Sequence, residues 1–236
     1  LLGKATYQGS VAEGTALSGL SDLDILVKFK KTSFSRESDM FNALHNFLKY
    51  NFNDPDLINI RKQKVSLGLI YNIQGQEQII DVVPVLRTDF IRGKNDYNLF
   101  KNPKFSNGSK TLKMNPHKQR DFGNNENEKK NVLRLIKILR IEEELPLKPI
   151  LIKELIKKAF EDIKMPNTIN QKLIRVLEFI RDNIISIKIK SPDNSRITLT
   201  DLISSSGKIE IKNALENIIY DLKQDKNLLQ DYFPEK

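Results

Sequence analysis

Two aspartates separated by one residue stand at the start of an apolar run that reads Asp22-Leu23-Asp24-Ile25. Side chains alternate between the two faces of a strand, so both carboxylates are expected on one side while their apolar neighbours enter the core. Like charges this close repel each other unless a cation lies between them. The pair therefore predicts a divalent metal site, which is the arrangement that phosphoryl and nucleotidyl transfer require.

A third carboxylate, that of Asp81, is the only charge in the apolar stretch from Ile79 to Val85. Burial of a carboxylate without a partner is strongly unfavourable. Beside Asp22 and Asp24, however, it would complete the coordination of the first metal and act as general base on an attacking hydroxyl. We predict that these three aspartates are the catalytic residues and the metal ligands.

The kind of metal follows from the residues that the chain lacks. It has no cysteine and two histidines, His45 and His117, which excludes a thiolate zinc site and a histidine-rich site. A metal must then be a hard cation held by oxygen atoms. We expect two Mg²⁺ ions, with Mn²⁺ as a possible substitute, about 3.5 to 4 Å apart so that they activate the hydroxyl and neutralise the leaving pyrophosphate.

Small residues ahead of the aspartate pair suit the phosphate end of such a site. Gly9 lets the backbone approach a ligand closely, and the Ser10 hydroxyl with nearby N–H groups can hold phosphate oxygens. Ser21, next to the first aspartate, is assigned to nucleotide binding with them. Thr15, within the intervening turn, is expected to satisfy the backbone rather than to contact a substrate.

The first half of the chain must position these groups, and its pattern alternates strands with one helix. Apolar spacing predicts an amphipathic helix from Arg36 to Tyr50. Runs rich in β-branched residues predict strands, with a hairpin turn at Gln74-Gly75: Ala5–Gly9, Leu23–Phe29, Leu57–Ile60, Val65–Ile73 and Gln78–Leu86. The polar stretch from Arg92 to Asn127 is interpreted as a long loop or an inter-lobe connection.

The second half changes to helical periodicity with basic outer faces. The predicted helices are Asn131–Glu143, Pro149–Phe160, Gln171–Ile185 and Ile209–Lys223. We therefore predict an α+β fold, with a mixed-sheet catalytic core over residues 1–120 and a helical lobe over residues 121–236. The active site is expected in the cleft between them.

Composition limits the partners. The 236 residues are 39% hydrophobic, which suffices for a globular core, and the formal net charge of +9 favours polyanions such as nucleotides or nucleic acid. Nucleic acid is a possible activator or substrate, although a lysine-rich surface is often only solubilising. No membrane-spanning run or signal peptide is evident, so we expect a cytoplasmic protein without a membrane partner. The oligomeric state stays undetermined.

The Gly-Ser, Asp-x-Asp and later-Asp pattern resembles the DNA polymerase β-like nucleotidyltransferase superfamily. It looks most like the branch that holds the cGAS/DncV-like nucleotidyltransferases (CD-NTases) and oligoadenylate synthases, with archaeal CCA-adding enzymes as more distant relatives. Three further passages carry this resemblance: Asp81–Pro84, Asn115–Gln119 and Asn131–Lys137. The resemblance implies that NTPs are joined with release of pyrophosphate into a cyclic di- or trinucleotide, or a short oligonucleotide, that serves antiviral signalling.

The resemblance also assigns two lysines to phosphate binding, and it shows where this sequence departs from the family pattern. A lysine matching Lys137 reaches the donor triphosphate in the family, and physical reasoning supports a cation in that role. Relatives place a serine and an aromatic residue after the lysine helix, where this chain reads Leu147-Lys148-Pro149-Ile150, so Lys148 is assigned as a substitute phosphate ligand. Relatives carry a long helix before the Gly-Ser pair. In this sequence, eight residues precede the pair. The missing Cys-rich zinc insertion favours a bacterial-type or minimal enzyme.

Two alternatives stay open. An RNA 3′-end nucleotidyltransferase of the CCA-adding or poly(A) type would explain the basic surface, although such enzymes generally carry extra RNA-binding domains. An inactive nucleotide or dsRNA sensor would share the scaffold, and retention of all three aspartates argues against it. Tyr97 and Phe122 could stack on a base but are expected to pack in the interior, and His117 is interpreted as structural.

Overall fold

The computed structural model describes residues 1–19, 21–88, 96–105, 110–224 and 232–233, and the chain divides into two units, Leu1–Arg120 and Asp121–Lys236. The first unit is built on a mixed sheet with helices, and the second consists mainly of helices. No helix among the described residues is both long enough and apolar enough to cross a bilayer.

The sheet of the first unit joins residues that are far apart in the sequence. Its strands are β1 (Thr6–Gln8), β2 (Leu23–Phe29), β3 (Leu57–Lys62), β4 (Leu67–Ile73), β5 (Gln76–Arg87), β6 (Tyr97–Phe100) and β7 (Thr111–Met114). The order is β1-β2-β5-β4-β3, with β6 paired to β5 and β7 to β6. The pair β2–β5 is parallel and the other pairs are antiparallel. The parallel pair brings the strand of Asp24 beside the strand of Asp81.

Apolar clusters cover both faces of this sheet. Helix α2 (Glu37–Asn51) buries Phe41 and Leu48 against side chains of β4 and β5 on one face. On the other face, Leu26 of β2 and Val83 of β5 pack with residues of β6 and β7. The short helices α1 (Gly9–Glu13) and α3 (Pro116–Arg120) lie beside each other in the same unit. Asp24 and Asp81 thus lie on strands that the core fixes from both sides, and Asp22 directly precedes the first of these strands.

Strand β5 exchanges its antiparallel partner midway. It pairs with β4 up to Val82 and with β6 from Val85 onward, while its parallel pairing with β2 continues past this point. Pro84 lies between the two partners, and a proline has no backbone N–H to donate. A proline is tolerated inside this buried strand because it occupies the position where the partner changes.

The prediction of a long loop from Arg92 to Asn127 is wrong for most of the described residues in that range. These residues include β6, β7, α3 and the start of the first long helix of the second unit. Each strand is only four residues long, and polar residues separate the buried ones; in β6, Asn98 lies between buried Tyr97 and Leu99. The predicted turn between Gly9 and Ser21 also contains α1.

The second unit has the four predicted helices, with shifted ends. They are α4 (Glu126–Glu142), α5 (Pro149–Asp162), α6 (Ile169–Asn183) and α7 (Ser205–Gln224). Each contributes several residues to one large apolar cluster, as amphipathic helices do when they bury a stripe. Thr168 caps α6, since its hydroxyl accepts a hydrogen bond from the Gln171 N–H.

Candidate active site

The Gly-Ser pair forms the beginning of α1, directly after β1. Gly9 has a φ of +62°, which is the left-handed region that favours glycine. The Thr15 N–H donates to the Ser10 carbonyl at 2.8 Å. The Ser21 hydroxyl accepts a hydrogen bond from the Leu17 N–H at 2.9 Å. The first bond closes the turn after α1, and the second holds Ser21 beside Leu17 ahead of the aspartates.

The strand registers place a line of residues across five neighbouring strands. The pairs are Gln8 with Asp24, Asp24 with Asp81, Asp81 with Gly68, and Gly68 with Arg61. Residues paired in register project from the same face of a sheet. These five residues therefore lie in one row on the same face of the sheet. The sequence separates Asp24 from Asp81 widely, but the parallel pairing of β2 with β5 makes them direct neighbours.

The three carboxylates act on one another electrostatically. Asp22 precedes β2 directly and is exposed, whereas Asp24 and Asp81 are partly buried. Burial and, to a smaller extent, the charges of Asp81 and Asp22 together raise the pKa of Asp24 to about 6. Burial and then the charge of Asp22 also raise the pKa of Asp81. Raised pKa values of this kind are expected where carboxylates lie close together and partly buried, an arrangement that a bound cation would compensate.

The β3–β4 hairpin supplies polar neighbours to Asp81. The Ser66 hydroxyl lies 2.6 Å from the Gln63 side-chain oxygen and 3.4 Å from Oδ2 of Asp81. Side-chain hydrogen bonds from Gln63 and Ser66, together with the charge of Arg61, oppose the rise in the pKa of Asp81. Its other oxygen, Oδ1, is buried and has no hydrogen-bond partner among the residues that the structure describes. An orphaned buried carboxylate oxygen is costly unless another ligand satisfies it.

Gly9 approaches the aspartate pair closely. A Cβ atom on Gly9 would overlap the Oδ2 atom of Asp24. The sequence prediction ascribed this glycine to the approach of a phosphate, but the close approach in the structure is to the carboxylate of Asp24. Glycine is needed here both for its backbone conformation and for the space that Asp24 occupies.

The donor set fits a hard divalent cation, although the ligands have not converged. Among the described residues, no group of three His, Cys, Asp or Glu is arranged closely enough to hold a metal ion. Asp22, Asp24 and Asp81 nevertheless offer only oxygen donors, which Mg²⁺ and Mn²⁺ prefer. The unpartnered Oδ1 of Asp81 is an available ligand atom.

The two predicted lysine ligands of the triphosphate belong to the second unit. Lys137 lies on α4 and is 6% exposed, and Lys148 is exposed at the residue before α5. Both belong to the second unit, so their role at the triphosphate stays a prediction. Tyr97 and Phe122 are both buried within apolar clusters, in agreement with the expectation that they pack. His117 is exposed on α3.

Four residues of the β3–β4 hairpin contribute to the site without having been predicted: Arg61, Gln63, Ser66 and Gly68. Polar residues near a hairpin turn resemble ordinary surface residues, and only the strand register brings them to Asp81. One signal was present in the sequence. Gly68 interrupts an apolar strand, and a glycine in that position often marks a close approach of other groups.

No protein-family model matches the sequence, and no curated protein matches it. Solved structures do match. The CdnC protein of Escherichia coli MS115-1, solved with ATP, is 18% identical with a TM-score of 0.74, and the match covers 98% of this chain and 82% of that one. The cyclic AMP-GMP synthase DncV of Vibrio cholerae is 14% identical with a TM-score of 0.69, covering 94% of this chain and 63% of DncV.

A third match is the STING-associated CdnE c-di-GMP synthase of Capnocytophaga granulosa, 19% identical with a TM-score of 0.65, covering 94% of this chain and 74% of that one. The likeness to these structures confirms the predicted fold class, an α+β polymerase β-like nucleotidyltransferase core followed by helices. It also confirms the resemblance to the cGAS/DncV-like branch at the level of the fold. At these identities the likeness defines the fold, and activity must be argued from the residues.

Proposed function

We propose that this protein is a nucleotidyltransferase that depends on divalent metal ions and joins NTPs with release of pyrophosphate. The observation that supports this most is the pairing of Asp24 with Asp81 on neighbouring parallel strands, where the charge of Asp22 also acts on both carboxylates. Clustered carboxylates with raised pKa values are typical of functional sites rather than of solvated surfaces. Residues 1–120 would form the catalytic core, and residues 121–236 a helical lobe.

The three aspartates would hold the ions, two Mg²⁺ or alternatively Mn²⁺. When bound, such ions neutralise the charge of the triphosphate and make a hydroxyl easier to deprotonate. Asp81 would accept the proton of the attacking ribose hydroxyl. The hydroxyl oxygen then bonds to the α-phosphorus, the bond from that phosphorus to the bridging oxygen breaks, and pyrophosphate leaves with the electron pair.

The remaining residues of the site would bind and orient the nucleotides. Gly9 keeps the backbone after β1 close to Asp24. Ser10 and Ser21 are proposed to contact phosphate oxygens. Ser21 would do so through the same hydroxyl that accepts a hydrogen bond from the Leu17 N–H. We assign charge neutralisation at the donor triphosphate to Lys137 and Lys148. Their side chains carry the positive charge that such a polyanion requires.

The proposed product is a cyclic di- or trinucleotide, or a short linear oligonucleotide, made in the cytoplasm as a signal in antiviral defence. The supporting observation is that the CdnE and DncV structures that match this chain bear the names of cyclic dinucleotide synthases. Addition of nucleotides to RNA 3′ ends is the second candidate, since the net charge of +9 suits a nucleic-acid substrate.

One experiment separates the two candidates. The protein is incubated with all four NTPs and Mg²⁺ or Mn²⁺, with and without an RNA oligonucleotide, and the products are resolved by chromatography. We expect a low-molecular-weight product that forms without RNA. Labelled RNA ends together with no small product would instead favour the end-adding enzyme. A lack of any product under all of these conditions would favour the inactive sensor.

A further inference from the structure

We infer that Ser66 and Gln63 position the carboxylate of Asp81, so that one of its oxygens is held by the protein while the other is left for the metal ion and the hydroxyl proton. This inference rests on the proposed function and deepens it, because it names positioning residues for the same site. Ser66 and Gln63 would act through Asp81 rather than touch the reacting atoms.

The first observation is the geometry of the hairpin between β3 and β4. Ser66 is 4% exposed, and its carbonyl accepts a hydrogen bond from the Gln63 N–H at 2.9 Å. The Ser66 hydroxyl lies 2.6 Å from the side-chain oxygen of Gln63. Because that oxygen accepts from Ser66, the amide nitrogen of Gln63 remains as the donor to other groups. Ser66 therefore fixes the direction in which Gln63 donates.

The second observation is that the two oxygens of Asp81 differ. Oδ2 lies 3.4 Å from the Ser66 hydroxyl, whereas Oδ1 is buried and accepts no hydrogen bond from the described part of the chain. The single hydroxyl proton of Ser66 is directed at Gln63, which lies closer than Asp81, so the side-chain amide of Gln63 is the main hydrogen-bond donor to the Asp81 carboxylate and Ser66 acts chiefly by orienting Gln63. A carboxylate held through one oxygen has little rotational freedom, so the direction of its other oxygen is fixed before any ligand arrives.

The third observation is the residue opposite Asp81. Gly68 is paired with Asp81 across β4 and β5. A Cβ atom on Gly68 would lie 2.6 Å from the amide nitrogen of Gln63 and 3.2 Å from Nε of Arg61. A side chain at this position would push Gln63 away from its present place. The glycine therefore makes room for the Gln63 side chain beside Asp81.

The test uses Mn²⁺ as the probe, followed in the absence of nucleotide by the electron paramagnetic resonance signal of the free ion. We expect Ser66→Ala and Gln63→Met to weaken Mn²⁺ binding by about 10- to 100-fold. Removal of a group that hydrogen-bonds to a metal ligand typically lowers metal affinity by this factor. With NTPs, kcat should fall by a similar factor while KM changes little. Ser66→Thr, which keeps the hydroxyl, should restore both.

The controls make the outcome decisive. Ser38→Ala removes a hydroxyl near Asp39 on α2 and should bind Mn²⁺ like the parent. Gly68→Ala supplies a second route, because it displaces Gln63 while keeping both polar residues; it should weaken Mn²⁺ binding even if Ser66→Ala folds poorly. Parent-like Mn²⁺ affinity and kcat in folded Gln63→Met and Gly68→Ala would overturn the inference.

Failure of the inference and failure of the proposed function give different results. If the parent releases pyrophosphate and the variants match it, only the positioning role is lost. If the parent binds Mn²⁺ through Asp81 but releases no pyrophosphate, the proposed function fails, and weaker Mn²⁺ binding by Ser66→Ala still supports the positioning role. Asp81→Asn serves as the reference for the loss of the ligand itself.

Discussion

At the scale of single residues, Asp24 shows a conflict between the stability of the metal-free protein and the proposed chemistry. Its pKa is about 6 in the folded protein, above the ordinary value of 3.8, mainly because of burial and then because of Asp81 and Asp22. The folded state therefore favours the protonated form. The contribution of Asp24 to stability is fully present below about pH 3.8 and is lost as the pH rises through about 6.

Replacement of Asp24 by Asn should stabilise the metal-free protein at pH 8. We expect the free energy of unfolding to rise by about 1 to 2 kcal/mol, after allowance for partial solvent exposure, and to show no comparable gain at pH 4. Urea denaturation in EDTA at the two pH values measures this. Asp56→Asn, at an exposed position, is the control. Equal stabilities of Asp24→Asn and parent at pH 8 would refute the assigned burial and repulsion.

Gly9→Ala tests the close approach of the turn to Asp24. The substitution forces a side chain into positive φ, which costs on the order of 1 to 3 kcal/mol, and also displaces the Asp24 carboxylate. Gly75→Ala is the matched control, because Gly75 has a φ of +82° but no atom within 4 Å of the added Cβ. Both variants should lose stability in thermal melts. Only Gly9→Ala should also lose about a hundredfold in kcat, as expected when a catalytic group is misplaced.

The three aspartates could be proposed from sequence because residue type and spacing alone indicate a shared face and a charge in an apolar strand. Ser66 and Gln63 could not, since nothing in their local sequence distinguishes them from surface residues of a hairpin. Their role depends on the antiparallel pairing of β4 with β5, which aligns Gly68 with Asp81. A long-range register of this kind is not encoded in any short motif.

At the scale of secondary-structure elements, α2 shows what periodicity does and does not specify. In the helix predicted from Arg36 to Tyr50, helical spacing counts both Phe41 and Phe47 among the apolar positions. The structure leaves Phe41 1% exposed and Phe47 55% exposed. The helix was predictable because its pattern extends over several turns, whereas the width of its buried face depends on the sheet against which it packs.

This pair of phenylalanines gives a test of the packing of α2. Phe41→Ala should lower the free energy of unfolding by about 3 to 5 kcal/mol, because it leaves a cavity against β4 and β5. Phe47→Ala, on the same helix, should change it by less than about 1 kcal/mol. Denaturant titration of both variants checks the difference. Similar losses for the two would mean that the assigned buried face of α2 is wrong.

Short elements were the ones that sequence reasoning missed. Strands β6 and β7 have four residues each, too few for periodicity to stand out against the polar residues around them. Their buried residues Tyr97, Leu99 and Met114 pack against β2 and β5 side chains, so tertiary contacts decide their conformation. The four helices of the second unit are long and strongly amphipathic, and all of them were predicted.

At the scale of the whole molecule, the fold and the site carry different information. The matches described above share 14 to 19% of their residues with this chain while covering 94 to 98% of it. So low an identity is enough to maintain a fold, since many sequences satisfy the same pattern of buried positions. The catalytic proposal therefore depends on the aspartates of β2 and β5 rather than on the likeness.

The most direct test of that proposal is pyrophosphate release from NTPs by the parent protein and by the double variant Asp22→Asn, Asp24→Asn. With Mg²⁺ or Mn²⁺ the parent should release pyrophosphate, and EDTA should stop it. The double variant should fold, as its thermal melting would show. Its rate of pyrophosphate release should be at least about a hundredfold lower than that of the parent, because several kcal/mol of charge stabilisation are lost. Undiminished release by the folded double variant would contradict the account.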